Sequence, residues 1–275
     1  MKKILFIVCF LISVANCLAQ KQFSFGSSNS MFPDNAANSK YSSSDGKYND
    51  NSCIVYVPKH FNKNKPWHYF LWFHGCNNNI YSTIEQFKLR EQLTLSGANY
   101  ILIMPEAAKN CMETYSGKWE QPKYFNQFME DAKLKLISEK IVDKSSSNNQ
   151  LIIAGHSGAS RVLVKIMDNS STAIKAILLF DAISGFESNI VSCLQKQPSC
   201  KLINLYTSKE NTNRSSKKLL QLLQKANLNV LQKNDTDLKD EDIRANRIIS
   251  LYTNLSHNDV AVSYNYLSRF LKAVE

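Results

Sequence analysis

Apolar residues in this chain fall into short continuous runs, separated by longer stretches of mixed polarity. A run without alternation of polar and apolar residues indicates a strand that is buried on both faces of a sheet. We predict strands at residues 52–57, 67–73, 100–104, 151–154, 176–180, 202–206 and 248–252.

The stretches between these runs carry apolar residues at helical spacing. They predict helices within residues 84–95, 124–142, 162–167, 219–223 and 260–271. The polar stretch 233–242 is expected to be a surface loop or a short helix. Because strands alternate with helices, the predicted fold class is α/β, with a mostly parallel central sheet and helices on both faces.

A serine follows one of the predicted strands at a sharp turn. Gly155-His156-Ser157-Gly158 comes directly after the run 151–154, and a helix-compatible segment follows it. A serine on a tight strand-to-helix turn between small residues is typical of a nucleophile elbow. Ala159 stands where the motif Gly-x-Ser-x-Gly has its second glycine, but alanine is also small. We predict that Ser157 is a nucleophile; an ordinary tight turn is the alternative.

A histidine and two carboxylates could complete a catalytic triad with this serine. His257 lies in a polar segment after the last predicted strand and is the expected general base, with a surface histidine as the alternative. Asp181 ends the strand 176–180, where a rigid element could orient the imidazole. Glu210, after the next strand, is its rival. We favour Asp181, although either carboxylate could simply cap a helix or be solvated.

The order of these residues along the chain resembles that of the α/β-hydrolase fold family. His74-Gly75-Cys76 follows an early strand, Gly155-His156-Ser157-Gly158 lies in mid-chain, and His257 comes late. The resemblance extends from about residue 53 to the C-terminus. Phe73-His74-Gly75-Cys76 is similar to the His-Gly-Cys opening of secreted feruloyl esterases and polyhydroxybutyrate-depolymerase-like esterases.

The resemblance implies an oxyanion hole made of two backbone N–H groups, those of Cys76 and Gly158. It implies structural roles for His74 and His156. The loop after the strand 100–104 carries Glu106, Tyr115 and Trp119, which are expected at the same edge of the sheet. Trp119 could stack on a substrate ring or simply pack in the core. No metal or cofactor is expected.

The N-terminus has the pattern of an export signal. Lys2 and Lys3 precede an apolar run at 4–14, and small and polar residues extend to Ala19. This pattern predicts a signal peptide over residues 1–19, followed by a polar lead-in at 20–51 and a catalytic domain at 52–275. A lipoprotein acylated at Cys17 is the alternative. Export predicts a periplasmic or extracellular location.

The net charge suggests a type of binding partner, and the cysteine content suggests disulfide cross-links. The net charge is +10, which favours contact with an anionic cell-envelope surface. The basic residues form no patch interleaved with aromatic residues, so a nucleic-acid partner is not indicated. Export permits disulfides, and a short loop separates Cys193 from Cys200, so a bridge is expected there.

The resemblance to the esterases implies a second bridge. It would join Cys76 to Cys111 and tie the oxyanion loop to the next loop, which leaves Cys53 unpaired. None of the cysteine spacings is typical of a zinc site.

These features together predict a secreted serine hydrolase, and most directly a carboxylic-ester hydrolase that acts on a small or polymer-linked ester through an acyl-enzyme. A cell-wall peptidase or amidase with the same fold is one alternative. A non-catalytic envelope-binding protein is another. The fold itself does not fix the substrate.

Overall fold

The structure is a computed structural model that describes residues 21–26, 47–48, 50–112, 114–145 and 149–275. These residues form one nine-stranded sheet with helices packed against it. The strands are β1 (Lys21–Gly26), β2 (Ser52–Val57), β3 (His68–Phe73), β4 (Tyr100–Pro105), β5 (Leu151–His156), β6 (Ile174–Phe180), β7 (Lys201–Tyr206), β8 (Leu231–Asn234) and β9 (Ile248–Tyr252). They lie in the order β1-β2-β4-β3-β5-β6-β7-β9-β8. Within this sheet, only the pairings of β2 with β1 and β4 are antiparallel.

Helices cover both faces of the sheet. They are α1 (Ile80–Gln86), α2 (Leu89–Ser96), α3 (Tyr124–Ser138), α4 (Ser160–Asn169), α5 (Glu187–Lys196), α6 (Glu210–Lys225), α7 (Asp240–Ala245) and α8 (Tyr266–Ala273). Apolar residues of α3, α4, α5 and α6 belong to one hydrophobic core, and those of α1, α2, α7 and α8 to a second one. The predicted α/β architecture is confirmed.

The central strands are continuous apolar runs in the sequence because they contribute side chains to both hydrophobic cores. In β3, Leu71 and Phe73 pack in the core that contains α4, whereas Phe70 and Trp72 pack in the opposite core. Successive side chains of a strand point to opposite faces. A strand between two helix layers therefore needs an apolar residue at every position.

The structure differs from the sequence-based prediction at the sheet edges and in some helices. β1 lies in the segment predicted as a polar lead-in, and β8 begins just before the polar stretch 233–242. Both are edge strands, and none of the side chains whose burial the structure describes in them is buried, which agrees with their lack of an apolar run. The helix predicted over 84–95 is two helices, since Lys88 between them has a left-handed φ of 49°. α5 was not predicted.

The register of the parallel strands sets the position of the site. Phe73 pairs with Gly155, and His156 pairs with Phe180, so β3, β5 and β6 end at nearly the same level. The residues that follow these strands are therefore gathered at one edge of the sheet, where α/β proteins commonly bind ligands. No helix among the described residues has the length and apolar character needed to span a membrane.

Candidate active site

Ser157 occupies the turn between β5 and α4. Its φ of 55° is left-handed, a backbone conformation that costs energy in a residue with a side chain and that is common at functional sites. The turn is tight: a Cβ atom built on Gly155 would lie 2.5 Å from the Cβ of Ala159. One position of this pair must therefore be glycine. Because Gly155 is glycine, alanine fits at position 159, where the motif usually has glycine.

A continuous hydrogen-bond chain connects Ser157, His257 and Asp181. Ser157 Oγ lies 2.8 Å from Nε2 of His257, and Nδ1 of His257 lies 2.6 Å from Oδ2 of Asp181. A carboxylate can only accept, so Nδ1 carries the hydrogen and Nε2 is left to accept the hydroxyl proton of Ser157. The geometry is that of a nucleophile, a base and a group that orients the base.

Asp181 is fully buried directly after β6, and it also has a left-handed φ, of 50°. Burial opposes its ionisation. Hydrogen bonds from His257, Thr212 and Thr207 outweigh burial and hold the pKa of Asp181 below its ordinary value of 3.8. The carboxylate is therefore ionised at neutral pH. Glu210, its rival in the sequence, is exposed at the first residue of α6.

The loop after β3 lies against Ser157. A Cβ atom on Gly75 would lie 3.3 Å from Ser157 Oγ, and one on Gly158 would lie 3.1 Å from the backbone nitrogen of Cys76. Only glycine permits this close approach of the two main chains. The backbone amide groups of Cys76 and Gly158 are thus brought together beside the Ser157 hydroxyl.

A buried pair of titratable side chains anchors this loop. His74 Nε2 lies 2.5 Å from Oε1 of Glu106, and both side chains are almost completely inaccessible to solvent. His74 Nδ1 donates to the carbonyl oxygen of Gly75 at 2.7 Å, and the N–H of Ile80 donates to Oε2 of Glu106 at 3.3 Å. The sequence suggested a structural role for His74, but nothing in it identified Glu106 as the partner.

Main-chain hydrogen bonds, and not a disulfide, join this loop to the one after β4. The N–H of Asn77 donates to the carbonyl of Cys111 at 2.7 Å, and that of Asn110 donates to the carbonyl of Asn78 at 2.8 Å. The predicted Cys76–Cys111 bridge is wrong, since the described residues contain no disulfide. The loops are already held together through the backbone beside the two cysteines.

The predicted Cys193–Cys200 bridge is also absent. The two thiols interact with each other, so the expected proximity is present without the covalent bond. The thiol of Cys200 donates to the carbonyl of Lys201 at 3.7 Å, and the sulfur of Cys193 accepts from Nε2 of Gln197 at 3.8 Å. Cys53 is buried in the hydrophobic core, and burial raises the pKa of its thiol. Cys9 and Cys17 lie outside the described residues, as do the predicted signal peptide and most of the lead-in.

Two other residues singled out in the sequence have well-defined surroundings. Trp119 is buried, donates from Nε1 to the carbonyl of Glu106 at 3.0 Å, and packs edge-on against Phe73. It is therefore a core residue and is not placed to stack on a substrate. Tyr115 is half-buried beside the guanidinium of Arg161, which lies 5.4 Å from its ring centroid.

His156, which precedes Ser157, contacts the expected base directly. Its Nε2 lies 2.7 Å from the backbone carbonyl oxygen of His257, and the two ring centroids are 4.6 Å apart. Burial lowers the pKa of His156 to about 4. Nothing in the sequence indicates this contact, because the partner of His156 is a main-chain atom distant in the chain. Among the described residues, no cluster of three or more His, Cys, Asp or Glu side chains could hold a metal ion.

No known family model matches this sequence, and no curated protein matches it. Solved structures do match its fold. A ferulic acid esterase aligns over 91% of this chain and 98% of its own, with a TM-score of 0.54 and 14% identity. S-formylglutathione hydrolase from Staphylococcus aureus aligns over 82% and 90%, respectively, with a TM-score of 0.53 and 13% identity.

A third match is the feruloyl esterase module from Clostridium thermocellum in complex with sinapinate. It aligns over 81% of this chain and 82% of its own, with a TM-score of 0.50 and 13% identity. The sheet order, the turn at Ser157 and these matches agree with the resemblance seen in the sequence: the chain has the α/β-hydrolase fold found in serine esterases.

Proposed function

We propose that this protein is a serine esterase that hydrolyses carboxylic esters through an acyl-enzyme on Ser157. The observation that carries the proposal is the continuous hydrogen-bond chain from Asp181 through His257 to the Ser157 hydroxyl. The hydroxyl of serine is a weak nucleophile until a base accepts its proton. The buried carboxylate keeps the imidazole in the tautomer that can accept this proton.

In the first half-reaction, Ser157 Oγ bonds to the acyl carbon while its proton moves to Nε2 of His257. The carbonyl electron pair moves onto the carbonyl oxygen, where the backbone N–H groups of Cys76 and Gly158 stabilise the negative charge. The tetrahedral intermediate then collapses and the bond to the alkoxide breaks. The alkoxide takes the proton from Nε2 and leaves as the alcohol.

In the second half-reaction, water attacks the acyl carbon and His257 accepts its proton. Collapse of the second intermediate breaks the bond to Ser157 Oγ, which regains the proton from His257 as the acid leaves. No external oxidant, reductant or cofactor enters this balance. Asp181 stays ionised throughout, because Thr207 and Thr212 as well as His257 donate hydrogen bonds to its carboxylate.

The experiment that tests this proposal uses a fluorophosphonate probe and a panel of nitrophenyl esters, feruloyl esters and aminoacyl amides. We expect labelling at Ser157 and ester turnover, with both lost in a folded Ser157→Ala variant. Turnover of amides in preference to esters would instead identify a peptidase or amidase. Absence of labelling and of turnover in the folded wild-type protein would identify a non-catalytic binding protein.

We propose further that the protein is exported and that it acts near an anionic envelope surface. The support is the basic and apolar leader at residues 1–19 and the net charge of +10, or +8 without Lys2 and Lys3. Mass spectrometry of protein from its native host should give a mature N-terminus near Gln20. A diacylated Cys17 at the N-terminus would identify a lipoprotein.

A further inference from the structure

A second buried carboxylate lies at the edge of the sheet where the proposed triad is found, but it is not part of that triad. Asp235 directly follows β8 and is 7% exposed. β8 pairs in parallel with β9, and Asn234 is opposite Tyr252. This register places Asp235 beside Thr253, the residue that follows β9.

Three hydrogen bonds satisfy the carboxylate of Asp235, whose burial would otherwise be costly. Its Oδ2 accepts from the hydroxyl of Thr253 at 2.6 Å and from the hydroxyl of Tyr266 at 2.7 Å. Its Oδ1 accepts from the backbone N–H of Thr236 at 2.9 Å. One carboxylate oxygen therefore joins Thr253 to Tyr266, which are distant in the chain.

Thr253 and Tyr266 lie at the two ends of the segment that carries His257. β9 ends just before Thr253 and α8 begins at Tyr266, and we call residues 253–265 the His257 loop. At the start of this loop, the Thr253 hydroxyl also accepts a hydrogen bond from the N–H of Leu255 at 3.1 Å. The hydroxyl thus extends the hydrogen bonding of the carboxylate to the main chain just before His257.

The end of the His257 loop has a strained backbone. Tyr264 and Asn265 have left-handed φ angles of 53° and 51°. Residues with side chains persist in this conformation only where their surroundings hold them. Tyr266, which comes next, is 2% exposed, and its hydroxyl is tied to Asp235. This hydrogen bond holds the chain where the loop turns into α8.

Other contacts restrain the middle of the loop. Nε2 of Gln92 donates to the carbonyl of Ala261 at 2.7 Å, and Nε2 of His156 lies 2.7 Å from the carbonyl oxygen of His257. Each of these contacts fixes one point of the main chain. Asp235 differs from them because it joins the two ends of the loop.

On the basis of the esterase function proposed above, we infer that Asp235 is a positioning residue for His257. Its carboxylate holds both ends of the His257 loop, so that Nε2 of the imidazole stays 2.8 Å from Ser157 Oγ. Asp235 acts through the loop and not by contact with the reacting atoms. Misplacement of a catalytic group by about 1 Å can cost about a hundredfold in rate. Loss of this anchor therefore affects the chemical step more than substrate binding.

The test compares Asp235→Asn with Asp237→Asn in the hydrolysis of nitrophenyl acetate. Asp237 lies in the same short turn but is exposed, so it provides the same chemical change without the contact to the loop. We expect kcat of Asp235→Asn to fall by about tenfold or more with KM within about twofold of the wild type. Asp237→Asn should keep the wild-type values. Asp235→Ala should lose more than Asp235→Asn, because the amide retains one acceptor oxygen.

A second variant tests the same anchor with a smaller disturbance of the fold. Tyr266→Phe removes only the hydroxyl and keeps the ring, which stacks on Phe270 with centroids 5.8 Å apart. It should lower kcat in the same direction. Combining it with Asp235→Asn should cost little more than Asp235→Asn alone, since both changes remove the same hydrogen bond. Urea unfolding shows that each variant is folded under the conditions of the assay.

The outcomes separate this inference from the proposed function. Wild-type kcat in folded Asp235→Asn and Tyr266→Phe, even with lowered stability, would show that the carboxylate is merely structural. That result would overturn the inference and leave the esterase function in place. Equal losses of kcat for Asp235→Asn and Asp237→Asn would also overturn it. Ester hydrolysis at the wild-type rate in a folded Ser157→Ala variant would instead refute the esterase function, and this inference with it.

Discussion

His156 donates a hydrogen bond from Nε2 to the backbone carbonyl oxygen of His257 at 2.7 Å. The residue before Ser157 therefore fixes the main chain of the residue expected to act as the base. Phe87 packs edge-on against the ring of His156 with centroids 4.8 Å apart, which holds the ring in this orientation. Because His156 is the last residue of β5 and Ser157 follows it directly, the end of one strand positions both side chains.

This contact predicts a defined effect of substitutions at His156. Phenylalanine keeps a ring but cannot donate to the His257 carbonyl, so kcat should fall by about tenfold or more while KM changes little, since a misplaced base affects chemistry more than binding. His156→Gln retains a donor and should lose less activity. Steady-state kinetics on one short ester would measure both. Equal kcat for the phenylalanine variant and the wild type would contradict a positioning role.

One buried and one half-buried neutral histidine should make stability depend on pH. Burial lowers the pKa of His156 and of His68 to about 4 in the folded protein, and Nδ1 of His68 accepts a hydrogen bond from the N–H of Gln150. The ordinary value is about 6.5, so between these values the unfolded chain binds protons that the folded protein does not. The free energy of unfolding is therefore highest above about pH 6.5 and falls as the pH drops towards 4.

The size of this effect can be measured by urea unfolding at pH 7, 5.5 and 4.5. For His156 alone, the difference in pKa between the folded and unfolded states lowers the free energy of unfolding by about 3 kcal/mol as the pH falls from above 6.5 to below 4. The variant His156→Phe lacks this titration, so its stability should fall less over the same range. If the free energy of unfolding of the variant depended on pH as strongly as that of the wild type, His156 would not titrate differently in the folded and unfolded states.

The choice between the two carboxylates leads to a third prediction. Asp181→Asn removes the acceptor that fixes the imidazole tautomer, and kcat should drop by about three to four orders of magnitude. Glu210→Gln changes an exposed side chain and should leave kcat within about twofold of the wild type. The same ester assay decides between them: a silent Asp181→Asn together with an inactive Glu210→Gln would transfer the role to Glu210.

A fourth prediction concerns the buried pair below the loop after β3. Glu106→Ala leaves His74 buried without its carboxylate partner, which should lower the free energy of unfolding by about 3–5 kcal/mol. It should also lower kcat, because the loop that carries the Cys76 amide loses its anchor. Urea unfolding and ester kinetics measure the two effects, with the exposed Glu210→Ala as control. Unchanged stability would show that the pair does not anchor the loop.

The sequence was sufficient to predict the interior of the fold. β5 and β6 are buried on both faces, so their apolar runs were visible without any structure. β8 alternates half-buried and exposed residues at the edge of the sheet, and the sequence of such a strand resembles that of a loop. Edge strands depend on pairing with a neighbour more than on their own side chains.

The site was predictable to the extent that motif and strand position determine it. Ser157 and His257 were predicted as site residues from the elbow and from the segment after the last strand, and the structure brings their side chains into hydrogen-bond contact. The preference for Asp181 over Glu210 rested only on its position at a strand end. Contacts such as that of His74 with Glu106 depend on the tertiary arrangement of loops, and no local pattern encodes them.

The pairing of β1 with β2 affects where a recombinant form of this protein should begin. β1 covers the outer edge of β2 along its whole length, from Ser52 to Val57, and Gln22 accepts a hydrogen bond from Arg90 at 2.9 Å. A shortened chain that starts at Ser52 would leave the backbone of Cys53-Ile54-Val55-Tyr56-Val57 open to pairing with another molecule. Because β1 occupies this edge, we expect a chain that retains residues 21–26 to aggregate less than one that starts at Ser52.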